Sequence, residues 1–291
     1  MNNTTVITYK KNKQEKTIKK FIEYNLKKEI ATIKKSSKEK NTVYNLKDIE
    51  YIHIKNYEFD DNDCNFIRTT FKNEVLILEN CIFNTKSLKI IGSKDNYNNL
   101  KIINPIFKKE CEVLIKNIKN VDIFLSEEGE NIELNITNCS DVYLDCSSKL
   151  KKLNNYRSFK TYIKNLDTNK EIYIFSLELL LENSNIEKID LVNYKTHLIN
   201  SAIKSVEDLI INNLYELVLE NGSSITAKSI LLPILKKIKY EDSNEDKISY
   251  LEASEHIAIS NPPYHIKAEN ESIILNKENT PSDLQEISKS K

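Results

Sequence analysis

The chain has 291 residues, 40% of them hydrophobic, enough to bury a sizeable core as one elongated domain or two compact ones. Its 43 basic and 43 acidic residues cancel, which argues against a dedicated nucleic-acid binder with a strongly basic body. Only three glycines, Gly92, Gly129 and Gly222, are present and none forms a G-x-G, which excludes a P-loop, a Rossmann fingerprint and a glycine-dependent cofactor loop.

Residues 1–40 carry twelve Lys against four Glu, a net of +8, whereas residues 241–291 carry eleven acids against five Lys, a net of −6. Such runs are usually solvated termini. Between residues 12 and 35, Ile18, Phe21, Ile22, Leu26, Ile30 and Ile33 recur at helical spacing among lysines. An N-terminal amphipathic helix is therefore expected within a basic segment, 1–41. Its role would be to cap a repeat array, whose first coil otherwise exposes apolar strands and a free edge. No apolar leader and no window of eighteen apolar residues occurs in the sequence, so no membrane span is expected. The five cysteines, Cys64, Cys81, Cys111, Cys139 and Cys146, form no C-x-x-C pair. Reduced thiols in a cytoplasmic protein are the expectation.

From residue 42 to 275 one phrase recurs, apolar-x-apolar-x-Asn, ending at Asn56, Asn80, Asn104, Asn117, Asn138, Asn183, Asn193, Asn213, Asn221 and Asn261. Asn fills 37 of the 291 positions, so chance places it after only a small minority of such strands, and a recurring structural turn slot is the better account. Apolar residues two apart describe a short strand with one buried face. The Asn one even step further is expected to point inward at the bend, its amide satisfied by the neighbouring coil. The separations suit one coil each: 24 from Asn56 to Asn80 and from Asn80 to Asn104, 21 from Asn117 to Asn138, and 20 from Asn193 to Asn213. Left-handed hexapeptide helices need glycine at tight corners, which this chain lacks. The expected fold is mostly β, a right-handed parallel β-helix (β-solenoid) over 42–275.

Residues 176–235 also read L-x-x-L-x-L, as in "VEDLIINN" and "LYELVLEN". A leucine-rich-repeat-like protein-binding solenoid is the alternative there, although Asn falls one place early for it. Asn261-Pro262-Pro263-Tyr264 matches the tetrapeptide with which amino-directed S-adenosylmethionine methyltransferases grip their target. Here it begins in the recurring slot, and its prolines suit the turn that follows. No S-adenosylmethionine binding, and no other cofactor, is expected. Residues 276–291 read as a disordered acidic and polar tail.

His53, His197, His256 and His265 form no H-x-x-x-H or H-E-x-x-H pattern, so no metal site is expected. Asp60-Asp61 is the paired carboxylate of the first coils, and the only arginines are Arg68 and Arg157. A carbohydrate-active or carbohydrate-binding β-helix is the alternative function, but no catalytic residue is assigned. In "NYRSF", Tyr156, Arg157 and Phe159 put a rare Arg among aromatics, a candidate patch for a protein partner.

The stretch "VLIKNIKNVDIFLSEEGENIELNITNCSDVYL", Val113 to Leu144, alternates as V-x-I-x-N-x-x-N-V-x-I-x-L, turns, and continues as I-x-L-N-I-T-N-C-x-x-x-Y-L. It resembles the β-helical C-terminal domain of cyclase-associated protein and, more loosely, tubulin-binding cofactor C. The resemblance implies a right-handed β-helix that binds a cytoskeletal monomer, actin or tubulin. The cofactor C branch uses a Q-x-R arginine as a GTPase-activating finger. This chain has no Q-x-R, so that activity is not carried over and actin stands ahead of tubulin. Alternation puts Asp141, Tyr143 and Asp145 opposite the inward Val142 and Leu144, as candidate anchors for a partner. The sequence as a whole reads as a non-catalytic interaction module whose outer faces present ladders of side chains to a protein partner.

Overall fold

The computed structural model describes residues 6–11, 14–19, 22–25, 30–33, 42–45, 51–59, 75–92, 98–126, 132–146, 150–243, 246–260, 263–267, 272–282 and 284. The chain is mostly β, with no helix among the described residues, and its parallel coils stack as a β-solenoid. It divides into two compact units, Met1–Tyr143 and Leu144–Lys291.

In the first unit the described coil strands fall on three faces. Strands Tyr51–Lys55, Val75–Glu79, Asn99–Ile103 and Asn120–Leu125 pair in parallel as one face. Ser87–Ile91, Cys111–Lys116 and Ile132–Thr137 form the second. The two-residue strands Glu58–Phe59, Ile82–Phe83 and Ile106–Phe107 form the third. Because coil pairs with coil residue by residue, the period-2 alternation stacks like on like. Leu78, Ile102 and Ile123 share one buried column, and Ile90, Ile115 and Ile136 another. Each such side chain contributes roughly 1.5–3 kcal/mol of burial. Phe59, Phe83 and Phe107 stack with ring centroids 5.1 Å apart at each step.

The corners depend on left-handed backbone. Asn56, Asn80 and Asn104, which end the first face, and Asn117 and Asn138, which end the second, all have φ between 47° and 57°. Their N–H groups reach the next coil: Asn56 to the Glu79 carbonyl at 3.0 Å, Asn80 to Ile103 at 2.8 Å, Asn104 to Phe124 at 2.9 Å and Asn117 to Thr137 at 3.1 Å. In the second unit Asn165, Asn183, Asn200, Asn213 and Asn221 adopt the same conformation, φ 47° to 64°. Side chains follow: Asn104 Nδ2 donates to Asn80 Oδ1 at 3.4 Å, Asn138 to Asn117 at 3.4 Å and Asn200 to Asn183 at 2.8 Å.

These corner amides do not point inward, which corrects the expectation from sequence. They are half-buried or exposed, and the following residue enters the core instead, as Cys81, Cys139, Ser184 and Ser201 do. What selects Asn is the backbone: a left-handed residue costs roughly 1–2 kcal/mol for an ordinary side chain and least for Gly or Asn. Asn193 is a second correction. It lies inside the strand Asn185–Ile199, is buried, and donates to Ser176 Oγ at 2.8 Å, so it is no turn. Asn261 lies outside the described residues.

In the second unit three long strands, Lys152–Lys164, Asp167–Glu182 and Asn185–Ile199, wrap round a bend and pair in parallel. Shorter strands continue the stack: Ala202–Lys204, Leu209–Asn212 and Glu216–Glu220, then Ser224–Leu232 and Lys237–Tyr240, then Tyr250–Ser260. Residues 176–235 contain no helix, so the leucine-rich-repeat alternative gives way to continued β-coils. Inside the Asn corner runs a serine ladder. Ser184 Oγ accepts the Leu166 N–H at 3.1 Å, Ser201 Oγ that of Ser184 at 3.0 Å, Ser223 Oγ that of Ser201 at 3.1 Å, and Ser249 Oγ that of Ser223 at 3.0 Å. Each of the first three hydroxyls donates back to its own coil, to Glu182 O, Ile199 O and Glu220 O.

Strands, not a helix, occupy the described residues of the N-terminal segment. Val6–Lys11 pairs antiparallel with Gln14–Lys19 and with the first coil strand, Tyr51–Lys55. Ile22–Asn25, Ile30–Ile33 and Thr42–Asn45 form a separate antiparallel sheet. The capping helix expected over 12–35 is thus corrected. An edge strand needs its backbone N–H and C=O groups paired, which an added strand does and a helix cannot, and the β-branched residues of the segment favour it. The C-terminal edge is treated alike: Tyr250–Ser260 pairs antiparallel with Pro263–Lys267 and Ile273–Asn276. The tail expected from residue 276 is packed as far as Leu284, which is buried and accepts the Ile238 N–H at 2.7 Å, while the Tyr240 hydroxyl meets Thr280 Oγ1 at 2.9 Å.

Urea unfolding separates the two corner roles. Asn138→Ala is expected to lose about 1–2 kcal/mol and Asn138→Gly only about 0.5 kcal/mol, because Gly keeps the left-handed backbone while removing the side chain. Equal losses would place the stability in the amide ladder instead. Ser223→Ala, which orphans the buried Ser201 N–H, is expected to cost about 1–3 kcal/mol by the same measurement.

Candidate interaction surface

At the bend of the three long strands the in-out alternation breaks. Ser158 is buried, Phe159 and Lys160 both face out, and Thr161 is buried again; Ser176-Leu177-Glu178-Leu179 and Asn193-Tyr194-Lys195-Thr196 repeat the pattern. A convex corner turns two successive side chains outward while a small polar residue fills the inside of the bend. The inner residues bond locally or to the neighbouring coil: Ser158 Oγ donates to Asn155 Oδ1, and Asn193 Nδ2 to Ser176 Oγ.

Pairing aligns the bends, Ser158 with Ser176 and Ser176 with Asn193, and the Tyr215 N–H bonds the Tyr194 carbonyl at 2.8 Å to extend the row. Two ladders result. One is apolar: Phe159, Leu177, Tyr194 and Tyr215, the first three 49%, 42% and 46% exposed. Tyr194 and Tyr215 stack at 5.0 Å, 7° from parallel. The other alternates in charge: Lys160, Glu178, Lys195 and Glu216, with ion pairs Lys160–Glu178 at 3.2 Å and Lys195–Glu216 at 3.3 Å, and Lys239 also on Glu216 at 3.0 Å.

Of the residues singled out from sequence, Tyr156, Arg157 and Phe159 sit at this corner. Arg157 is left-handed, φ 62°, where the pairing register shifts between Tyr156 and Ser158, and its guanidinium lies 4.9 Å from the Tyr156 ring centre. Tyr156 in turn packs on Phe175 at 5.4 Å. The other candidates are half-buried and engaged. In the first unit Tyr143 lies against Phe124 at 5.3 Å and Asp141 accepts the Ser140 hydroxyl. In the second unit Asp145 accepts from Asn165 Nδ2 at 2.8 Å. Sequence reading missed Leu177, Tyr194 and Tyr215. The signal for the first two is the repeated tetrad "SFKT", "SLEL", "NYKT" at Ser158, Ser176 and Asn193, of which an Asn-centred scan takes only the last, as a turn.

Asp60, Asp61, Arg68 and Cys64 lie outside the described residues. The other four cysteines are buried, and burial pushes the Cys81 thiol up to about 12 and that of Cys139 to about 11. They are packing groups, not nucleophiles.

These features define the class: a β-solenoid with an outward apolar row on one corner of its second unit. No protein-family model, curated protein or solved structure matches the chain.

Burial pushes the Glu216 carboxyl up, and the Lys239 and Lys195 ammonium groups outweigh it, holding the group below the ordinary carboxylate range. A lowered folded-state value means stability that is full above the unfolded value and lost as pH falls through the folded one. Glu216→Gln is therefore expected to be less stable than wild type at neutral pH, with the gap closing on acidification through the carboxylate range. Urea midpoints over a pH series check this.

Proposed function

We propose that the protein is a non-catalytic interaction module that engages a protein partner through the corner row Phe159, Leu177, Tyr194 and Tyr215. The observation that carries this reading is the row itself. Large apolar side chains, two of them aromatic and strongly exposed, recur on consecutive coils at a position the fold leaves free to be polar. Contiguous exposed apolar surface of this kind marks binding sites, and aromatic anchors carry most of the energy at such sites. The alternating charges beside the row suit a polar rim, which sets register and partner choice more than affinity.

The cytoskeletal monomer implied by the resemblance at residues 113–144 is the first partner to try, actin before tubulin. Sedimentation with ADP-actin and with tubulin tests the identity, and a photo-reactive residue at Leu177 tests the surface. On the reading proposed, the Leu177 probe gives one discrete protein adduct, a probe at the exposed Glu187 gives none, and wild-type protein competes the adduct away while Phe159→Ser/Tyr194→Ser does not. No shift with either monomer removes the cytoskeletal identity. Equal labelling from both probe positions removes the corner row as the binding surface.

A further inference from the structure

Three side chains with metal-ligating atoms converge on the outer face of the second unit: His197, Glu220 and Glu241, whose donor atoms all lie within 4.8 Å of one another. They come from successive coils. His197 lies in Asn185–Ile199, Glu220 ends Glu216–Glu220, which pairs with that strand, and Glu241 directly follows Lys237–Tyr240, which pairs with Glu216–Glu220. His197 Nε2 is 3.0 Å from Glu220 Oε2, and Asn221 Nδ2 holds the other Glu220 oxygen at 3.1 Å.

The charge pattern is unusual for this molecule. A second His–Glu pair between coils, His53 and Glu79 at 2.8 Å, has Lys55 on the same carboxylate. In the His197 group the third member is a carboxylate instead of an ammonium. Lys239, in the same outward column as His197 through Val218, is drawn to Glu216 at 3.0 Å. Two carboxylates and one imidazole are thus brought together by the stacking of coils, without a lysine or arginine paired to either carboxylate among the described residues.

We infer that His197, Glu220 and Glu241 bind one divalent transition-metal ion of the Zn2+ or Co2+ kind. One imidazole nitrogen with two carboxylate oxygens is a donor set for borderline divalent metals. Around such an ion, ligand atoms at about 2.0–2.2 Å from the metal sit roughly 3.3 Å apart. The His197–Glu220 spacing already meets this, and the exposed Glu241 side chain closes the rest by rotation. Asn221 supplies the outer hydrogen bond that orients a ligating carboxylate. Three protein ligands leave a fourth position for water. Because the ligands span three coils, the ion joins them and stabilises the folded state.

Titration of chelator-treated full-length protein with Co2+, followed optically, tests the assignment. One ion per chain is expected, with visible ligand-field bands and no thiolate charge-transfer band. His197→Gln and Glu241→Gln are each expected to weaken uptake roughly tenfold or more, while Glu79→Gln, in the other His–Glu pair, leaves it unchanged. Zn2+ should raise the thermal midpoint of wild type and not of either variant; circular dichroism of the metal-free proteins shows that all are folded. Uptake only at millimolar Co2+, equal uptake by the His197 and Glu241 variants, or a thiolate band would overturn the assignment.

Discussion

A chain that climbs one strand spacing per coil has to change direction at every corner without stranding backbone groups, and here that constraint falls on corner residues held at positive φ. Among the described residues eleven non-glycine residues have positive φ, and ten are Asn. With three glycines in the chain, Asn is the residue that visits this region at least cost, because its short side chain hydrogen-bonds locally. The left-handed residue aims its N–H at the next coil's carbonyl, as Asn80 does toward Ile103. The turn therefore extends the inter-coil ladder through the corner, where an ordinary turn would interrupt it.

What enters the core after the Asn decides how each corner is filled. In the first unit Cys81 and Cys139 take the slot and weakly reach backbone carbonyls, 3.5 Å from Cys81 to Ile54 and 3.6 Å from Cys139 to Thr137. In the second unit Ser184, Ser201 and Ser223 take it, and the hydroxyl accepts one N–H and donates to one carbonyl. A buried serine costs least when both functions are used, which the ladder achieves by repetition. Gly92 shows the limit of the Asn solution. A Cβ there would run into the Asn117 carbonyl oxygen of the next coil, so close approach, and not positive φ, requires glycine.

The coil period, strand parity and most corners were legible because all three are local: apolar residues two apart and an Asn at the next even step. Asn165 and Asn200 escaped the same scan because the first apolar position of their phrase is Thr, Thr161 and Thr196, both buried. A threonine is small and β-branched enough to sit in the inner column, Thr161 with its hydroxyl bonded by Asn155 Nδ2, and a hydropathy filter rejects it. The N-terminal segment misled for a different reason. Ile18, Phe21 and Ile22 fit a helix face, but the demand of an unpaired edge is non-local and overrides a local period. One residue of the corner row, Phe159, was visible, beside Arg157. Leu177 and Tyr194 were not, because alternation predicts one outward side chain in two, and a convex bend breaks that rule for a single step.

The same repetition shapes what such a molecule can do. In a solenoid, residues that meet on the surface stand one coil apart in sequence, as Phe159, Leu177 and Tyr194 stand 18 and 17 residues apart and His197 and Glu220 stand 23 apart. Short-range motifs of the H-x-x-x-H kind assume ligands presented by one helix or loop, and a stacked fold presents them by column. An outward column is free to change its chemistry coil by coil, since the inner column and the corner carry the fold. One column of the second unit is apolar, its neighbour alternates in charge, and two other adjacent columns set an imidazole beside two carboxylates. A change in any of these leaves the left-handed corner, its backbone bond and the serine behind it in place, so stability and binding are separable in this chain to the degree that inner and outer columns are.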